Sequence, residues 1–208
     1  MKQQRGLSLI ELMVAIVISS ILLLGVLQLF SNTSASDRTN TAIARVQESG
    51  RVALEIIGDD ARRAGYQGCS SASNEITVAG IKFPDQAVQA SDKSVTFHYA
   101  TQEDTGTAFS TSKTCGGQAL YLKTVTYSQC TDGTSLCMNG DPILDHASVT
   151  AINFGLADAG NTIWEESASV TAEDLKKARS VSVTLELQDP RSEITRSFTN
   201  TYEFRNRL

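Results

Sequence analysis

Proline, histidine and tryptophan are scarce in this chain of 208 residues, which contains three prolines, two histidines and one tryptophan. The first proline is Pro84, so no proline ends or kinks a helix before that position. No GxSxG motif, HExxH motif or glycine-rich phosphate loop occurs anywhere in the sequence. We therefore expect a protein that is not an enzyme and that needs no cofactor.

Positive charge is absent from a long N-terminal stretch. Lys2 and Arg5 are followed by no lysine or arginine until Arg38. Because a short basic end stays on the cytoplasmic side of a membrane, we expect the rest of the chain to be exported. The formal net charge is −5. An acidic chain disfavours nucleic acid, whose phosphates are bound by lysine and arginine, so we expect no nucleic-acid partner.

The segment from Leu7 to Phe30 is almost wholly apolar and long enough to cross a hydrocarbon core, which needs about 20 residues. It contains one acid, Glu11, whose charge is costly in a membrane and favours a cationic partner. Cleavage after Gly6 would create such a partner in the α-amino group of Leu7, in the same chain or in a neighbouring helix.

Two plainer interpretations of this segment stay open. It resembles in part a cleaved secretory signal, for which Ser34 to Ser36 would be the small-residue site, although its apolar run is long and holds an acid. It also fits a simple membrane anchor in which Glu11 is an incidental polar residue near the headgroups.

The residues Arg5 to Ala15, RGLSLIELMVA, resemble the leader region of type IV pilin-like proteins. In that family the leader ends in glycine, a hydrophobic residue follows, and glutamate stands five positions beyond the cleavage point. The resemblance implies cleavage between Gly6 and Leu7 by a prepilin peptidase, N-methylation of Leu7, and an assembly salt bridge made by Glu11. The family most often has phenylalanine where this chain has Leu7.

The four cysteines all follow the apolar segment, and an even number on the exported side favours disulfides: Cys69, Cys115, Cys130 and Cys137. Three pairings are possible. Proximity favours Cys130 with Cys137, which leaves Cys69 to bond Cys115 and to pin the end of the helix to a distal loop. A zinc site is the alternative, but the sequence has no CxxC pair and we expect no metal.

Two further features admit a functional and a structural interpretation. The acids Asp132, Asp141 and Asp145 lack the spacing of an EF-hand, which favours a solvated loop closed by a disulfide over a calcium site. Ile163 and Trp164, followed by two glutamates, form a candidate partner surface, although a lone tryptophan is more often packed or half-buried.

A second helical segment follows from Asp37 to Ala64, where apolar residues recur mostly at spacings of three, four and seven: Ile43, Val46, Ala53, Leu54, Ile57 and Ala61. Val52 and Ile56 fall beside this face and are expected to widen it. Gly25, Gly50, Gly58 and the run from Ser31 to Ser36 are candidate helix breaks.

After Gly68 the pattern changes to short alternating runs, which predict strands around Ile76–Phe83, Val95–Tyr99, Leu120–Val125, Val149–Leu156, Val181–Leu187 and Ile194–Phe204. Turn residues from Asp189 to Arg191 predict a C-terminal antiparallel hairpin. Thr171 is placed to cap a short helix that ends near Ala178. A long helix followed by a mostly antiparallel sheet is an α+β arrangement.

Two later segments, AGYQGC at Ala64 to Cys69 and YEFRNR beginning at Tyr202, resemble the PilW family of minor pilins, which are pilus-assembly subunits. This resemblance implies the pilin-like fold. The expected organisation is a leader at 1–6, a transmembrane and assembly helix at 7–30, an amphipathic helix at 31–64 and a disulfide-bonded, β-rich domain at 65–208.

The function expected from these resemblances is that of a minor type IV pilin of a Gram-negative bacterium. It would be held in the inner membrane with its C-terminal domain in the periplasm, and would then enter a surface pilus. The implied partners are other minor pilins, the major pilin, the prepilin peptidase and the inner-membrane assembly platform. Two alternatives stay open, a minor pseudopilin of a type II secretion system and an adhesin module displayed on a filament.

Overall fold

One long helix, α1 (Leu9–Arg63), occupies the N-terminal part of the computed structural model, which describes residues 8–70, 74–192 and 194–206. Antiparallel strands make up most of the remaining chain, so the expected α+β class with a helix-plus-sheet, pilin-like arrangement is confirmed. The chain divides into two units, Met1–Ala44 and Arg45–Leu208.

The first unit carries the apolar part of α1. Every residue from Leu9 to Phe30 is exposed, including each of the large leucine, isoleucine, valine and phenylalanine side chains. Within the described chain, α1 is the helix that is long and apolar enough to cross a membrane. A helix that is apolar on all sides needs lipid or other protein around it.

The second unit contains the amphipathic part of α1. Five of the six residues expected on the core face are buried, namely Val46, Ala53, Leu54, Ile57 and Ala61, whereas Ile43 is half-buried. The expectation that Val52 and Ile56 widen this face is wrong, because these side chains are 40% and 44% exposed. At 3.6 residues per turn, Ile56 lies roughly 100° and Val52 roughly 140° round the helix from the centre of the buried face, beyond the surface that the sheets cover.

The candidate glycine breaks are also not observed, because α1 is continuous from Leu9 to Arg63. Gly50 and Gly58 instead lie where the C-terminal strand meets the helix. A Cβ at Gly50 would lie 2.7 Å from the ring of Phe198, and one at Gly58 would overlap the ring of Tyr202. These glycines therefore allow aromatic side chains to pack directly on the helix backbone.

Twelve strands are found in the described residues: β1 (Ile76–Val78), β2 (Ile81–Phe83), β3 (Val88–Ser91), β4 (Ser94–Thr101), β5 (Ala108–Lys113), β6 (Ala119–Gln129), β7 (Leu136–Met138), β8 (Asp141–Leu144), β9 (Ala147–Asp158), β10 (Asn161–Glu166), β11 (Ala178–Gln188) and β12 (Thr195–Glu203). They form a two-stranded sheet β1-β2, a four-stranded sheet β10-β9-β11-β12, and a six-stranded sheet β3-β4-β6-β7-β8 with β5 also on β6. Every pairing is antiparallel.

The main core lies between the second half of α1 and the inner faces of the two larger sheets. Phe97 and Tyr127 of the six-stranded sheet and Phe154, Val181 and Leu185 of the four-stranded sheet are among its fully buried members. A smaller core around Phe83, Phe109 and Leu120 lies beneath the β1-β2 hairpin. The inner faces of the two larger sheets and the apolar stripe of α1 thus form the main core together.

The predicted local signals at the C-terminal end are confirmed. Thr171 caps helix α2 (Ala172–Lys176) in a capping box with Asp174. Between β11 and β12, the Asp189 carboxylate accepts hydrogen bonds from the Arg191 backbone N–H and the Ser192 hydroxyl, both at 2.9 Å. These bonds hold the pKa of Asp189 below its usual value and close the hairpin.

We expect Gly58→Ala to destabilise the second unit by about 1–3 kcal/mol, because its methyl group would overlap the Tyr202 ring. Helix propensity alone predicts the opposite sign, a gain of up to about 1 kcal/mol. Urea unfolding of a fragment that begins at Ser31 measures the effect. Gly116→Ala is the control, since its nearest neighbour would be 3.8 Å away. Equal stability of both variants would show that the close approach at Gly58 is dispensable.

Candidate assembly site

Glu11 lies in the first turn of α1, where backbone N–H groups have no partner within the helix. Its carboxylate oxygen Oε2 accepts a hydrogen bond of 3.0 Å from the backbone N–H of Ser8. The acid therefore caps the helix and lies at the positive end of the helix dipole. An ionised carboxylate has acceptor sites on both oxygens, so this one bond does not exhaust its capacity. Gly6 and Leu7 lie outside the described residues.

Other polar side chains of the apolar helix make hydrogen bonds within the helix itself. The Ser20 hydroxyl donates to the Ile16 carbonyl at 2.8 Å, and the Gln28 amide donates to Asn32 Oδ1 at 3.0 Å. Such local bonds lower the cost of placing a polar group in an apolar surrounding. Glu11 differs because it is the one ionisable side chain between Leu9 and Phe30.

Asp60, near the C-terminal end of α1, links the helix to the six-stranded sheet. The two carboxylate oxygens of Asp60 accept hydrogen bonds from the hydroxyl groups of Tyr99 on β4, at 2.7 Å, and Tyr127 on β6, at 2.6 Å. Burial and the neighbouring carboxylate raise the pKa of both tyrosines well above the usual value. Both hydroxyls therefore remain protonated donors at neutral pH.

The sequence interpretation missed this cluster, although a signal for it is present. Asp60 follows Ala53 by seven residues and Ile57 by three, so it falls on the buried apolar stripe of α1. An acid at such a position requires buried donors. The alternating apolar pattern identified Tyr99 as a strand residue, but it carried no information about which helical residue its hydroxyl would meet.

The C-terminal strand holds the end of α1 from the other side. The Tyr202 hydroxyl donates to the Leu54 carbonyl, and the Arg62 guanidinium lies 5.7 Å from the centre of the Tyr202 ring. Asn206 donates from Nδ2 to the carbonyls of Arg62 and Arg63 at 3.3 and 3.4 Å. Asn206 thus satisfies carbonyls in the last turn of the helix, which lack partners within it, whereas Tyr202 contacts the helix interior at Leu54.

The AGYQGC segment leaves the helix and is hydrogen-bonded to strands β4 and β5 of the six-stranded sheet. Gly65 N–H donates to the His98 carbonyl at 3.0 Å, and Cys69 N–H donates to the Lys113 carbonyl at 2.9 Å. Gly68 has a φ of +84°, and a Cβ there would overlap Leu120 and lie 2.6 Å from the Lys113 carbonyl oxygen. Glycine is therefore required at this position on both conformational and steric grounds.

Two disulfides occur, and they have the arrangement that proximity favours. Cys69 is bonded to Cys115, 46 residues later, and Cys130 is bonded to Cys137, seven residues later. The first bond joins the segment after α1 to the turn between β5 and β6, and the second closes the loop between β6 and β7. Because all four thiols are used, none can bind zinc as a thiolate.

Of the acids considered for calcium, Asp132 has a structural role, and the Ser135 hydroxyl lies within hydrogen-bond distance of both Asp132 and Asp145. Asp132 accepts hydrogen bonds from the backbone N–H groups of Thr134 and Ser135 and from the Ser135 hydroxyl, which lower its pKa. Among the residues that the structure describes, no three His, Cys, Asp or Glu side chains are grouped to hold a metal ion. Asp132 therefore serves as a turn-forming residue.

Comparison with known protein families gives two matches that together cover most of the chain. The prokaryotic N-terminal methylation motif matches residues 1–27, which include Gly6, Leu7 and Glu11. The family described as prepilin peptidase-dependent protein B matches residues 39–204, which include the four cysteines, Asp60 and all twelve strands. No curated protein and no solved structure matches the chain.

We expect Asp60→Ala to destabilise the second unit strongly, because it leaves two buried tyrosine hydroxyls without their acceptor. The expected cost is about 1–3 kcal/mol for each unsatisfied group. Asp59→Ala is the matched control, since that neighbouring acid is exposed and its ion pair with Arg62 contributes about 0–1 kcal/mol. Chemical unfolding of both variants tests the difference, and similar losses would contradict the role assigned to Asp60.

The two disulfides should contribute unequally to stability. Loop-closure entropy predicts about 4 kcal/mol for the 46-residue separation and about 2 kcal/mol for the seven-residue separation. We therefore expect the double variant Cys69→Ser/Cys115→Ser to unfold at lower denaturant concentration than Cys130→Ser/Cys137→Ser. Equilibrium unfolding without reductant measures both, and the reverse order would mean that packing around Cys137 outweighs loop length.

Proposed function

The chain belongs to the prepilin peptidase-dependent protein B family of type IV pilin-like proteins, and we propose that within this family it acts as a minor type IV pilin. In this role it helps to initiate a pilus and enters the filament or its tip complex. The observation that carries the proposal is an exposed, almost wholly apolar helical segment with one acid in its first turn, followed by a disulfide-bonded β-rich unit.

Processing comes first in this proposal. A prepilin peptidase, on which the family depends, removes residues 1–6 between Gly6 and Leu7, and the new α-amino group of Leu7 is methylated. The apolar helix then holds the subunit in the inner membrane of a Gram-negative cell. Its second unit lies in the periplasm, an oxidising compartment in which disulfides persist.

During assembly, contacts with neighbouring pilin helices replace the contacts between the apolar helix and lipid. The side chains from Leu9 to Phe30 project on all sides, so they can pack on several neighbouring pilin helices at once. In that surrounding the Glu11 carboxylate pairs with the amino terminus of a neighbouring subunit. The pair adds little net stability, because desolvation opposes attraction, but a wrong axial register leaves a buried charge uncompensated. Glu11 therefore selects the axial position of one subunit relative to its neighbour.

The partners in this proposal are the other minor pilins, the major pilin and the inner-membrane assembly platform. A minor pseudopilin of a type II secretion system would use the same helix with other neighbours. An adhesin module would use the same scaffold but locate its activity in the loops of the second unit. Crosslinking mass spectrometry on native envelopes and sheared filaments distinguishes these cases by the neighbouring chains that it identifies.

We expect Glu11→Ala to be inserted in the membrane and cleaved after Gly6, but to be lost from filaments, because no carboxylate remains to meet a neighbouring amine. Glu11→Gln should also be excluded, since its amide retains an oxygen for the Ser8 N–H but carries no charge. Immunoblotting of sheared filaments against whole membranes measures the loss. Ser20→Ala is the control within the same helix and should be incorporated normally.

Normal incorporation of Glu11→Ala would refute the pairing role. Incorporation of Glu11→Gln but not of Glu11→Ala would assign the role of the residue to helix capping instead. An uncleaved Glu11→Ala protein would place the requirement for the acid at processing rather than at assembly.

A further inference from the structure

His98 is a buried histidine on strand β4, between Phe97 and Tyr99, whose side chains both enter the main core. Because side chains alternate along a strand, the His98 ring lies on the opposite face of the sheet. Only 4% of this residue is exposed. Ala100 along the strand and Ala87 in the segment before β3 flank it, and both belong to the smaller core. The imidazole is therefore buried beside that core.

One ring nitrogen of His98 has a hydrogen-bond partner and the other does not. Nδ1 lies 2.9 Å from the Thr124 hydroxyl on β6. Nε2 is fully buried and has no hydrogen-bond partner among the residues that the structure describes. A protonated imidazole has two N–H donors and needs two acceptors. Thr124 can supply one of them, so protonation would leave a buried, charged N–H group unsatisfied.

Within the described chain, no acid forms an ion pair or a hydrogen bond with the His98 ring to offset this cost. The titratable groups on the segments packed around the ring are Tyr66, Glu75, Lys82, Asp85, Tyr121 and Lys123. Lys82 binds both acids, at 2.9 Å from Glu75 and 3.9 Å from Asp85. By alternation along β6, the last two groups lie on the face opposite to Thr124. Burial therefore lowers the pKa of His98 below its ordinary value of 6.5.

The backbone of His98 connects β4 to two irregular segments. Regular pairing between β3 and β4 ends one residue before it. The His98 N–H donates to the Ala87 carbonyl at 2.8 Å, and the His98 carbonyl accepts from the Gly65 N–H at 3.0 Å. The Ala100 N–H donates to the Tyr66 carbonyl at 2.7 Å. These three hydrogen bonds form what we call the exit junction, because the chain leaves α1 here.

The two sides of β4 are held unequally at His98. On one side, eight consecutive residue pairs join β4 to β6. On the other side, the exit junction consists of three hydrogen bonds to chain outside the strands. A buried charge that must reach water therefore opens the exit junction more readily than the ladder. The disulfide between Cys69 and Cys115 keeps the released segment close, so the opening is local and reversible.

We propose that His98 is an acid-sensitive switch at the exit junction, which is closed while the ring is neutral and opens when the ring takes up a proton. The open state hydrates the imidazolium, whereas the closed state buries it. Because the closed state binds the proton less tightly, acid favours opening. Below the ordinary pKa of 6.5, the equilibrium constant for opening rises by about tenfold per pH unit until the lowered pKa of the closed state is reached. Above 6.5 it does not depend on this group.

The consequence is a helix attachment that depends on pH. Asp60 continues to bind Tyr99 and Tyr127, so α1 stays on the sheet while the segment that follows it is released. The subunit is then more deformable in acidic surroundings than at neutral pH. All of these residues lie in the unit Arg45–Leu208, so the switch does not depend on the pairing proposed for Glu11.

Hydrogen–deuterium exchange of the full chain in detergent micelles, from about pH 7.5 to about pH 4.5, tests the switch. Protection factors correct for the pH dependence of chemical exchange itself. Those of the Gly65 and Ala100 amides should fall as the pH drops below 6.5, by up to about tenfold per unit. Amides of the β4–β6 ladder should keep their protection, which separates local opening from unfolding.

Two variants remove the titration of this residue by different routes. His98→Asn keeps a polar atom near the position of Nδ1, and His98→Phe keeps the volume of the ring. Protection at the exit junction should not depend on pH in either variant. His146→Asn is the matched control, because it removes the other histidine, which is exposed, and asparagine tolerates its φ of +53°. This control should behave as the unaltered chain does.

An NMR titration of the His98 ring in the unaltered chain gives a readout that needs no variant. Its protonation should coincide with the loss of protection at Gly65 and Ala100. A ring that titrates near 6.5 while both amides stay protected would overturn the proposal, because the closed state would then accommodate the charge. The same pH dependence in His98→Asn would assign it to another group, and simultaneous loss across the β4–β6 ladder would contradict a local opening.

Discussion

The attachment of α1 to the sheets is the constraint on which the rest of the second unit depends. The helix is held on one side by Asp60, which joins Tyr99 and Tyr127, and on the other by Tyr202, which lies against Gly58. Polar bonds of this kind fix one arrangement of packed elements, whereas apolar burial alone permits small shifts. The proposed assembly through the helix needs such a fixed connection, because a force on the helix would pass to the sheets through it.

The two parts of α1 have surfaces of different character. From Leu9 to Phe30 the helix is apolar on every side, and from Arg45 to Arg63 it is apolar on one stripe and charged on the other faces. The hydrogen bonds follow this division. Ser20 and Gln28 are satisfied within the helix, as a lipid surrounding requires, whereas Asp60 is satisfied by the sheet. Although α1 is one continuous helix, its N-terminal part is suited to an apolar surrounding and its C-terminal part packs on the sheets.

Local patterns predicted most of this fold, and contacts between distant residues explain what they missed. Long strands with alternating apolar residues, such as β4 and β11, and the cap at Thr171 are encoded by neighbours in sequence. The short strands β7 and β8 have too few residues to show a period. Gly50 and Gly58 were candidate breaks on propensity alone, yet their role depends on Phe198 and Tyr202, which are far away in sequence.

Glu11 and Asp60 show how one sequence signal leads to two different conclusions. Each is an acid on an apolar helical surface, and each therefore requires donors. Asp60 finds two tyrosine hydroxyls inside its own chain, one for each carboxylate oxygen. Glu11 accepts from the Ser8 N–H within a segment whose side chains are all exposed. An acid whose two carboxylate oxygens both accept hydrogen bonds within its own chain stabilises the fold. An acid that still has an acceptor site, on an exposed apolar surface, is suited to bind a cationic partner. This difference, rather than the acid itself, supports an assembly role for Glu11.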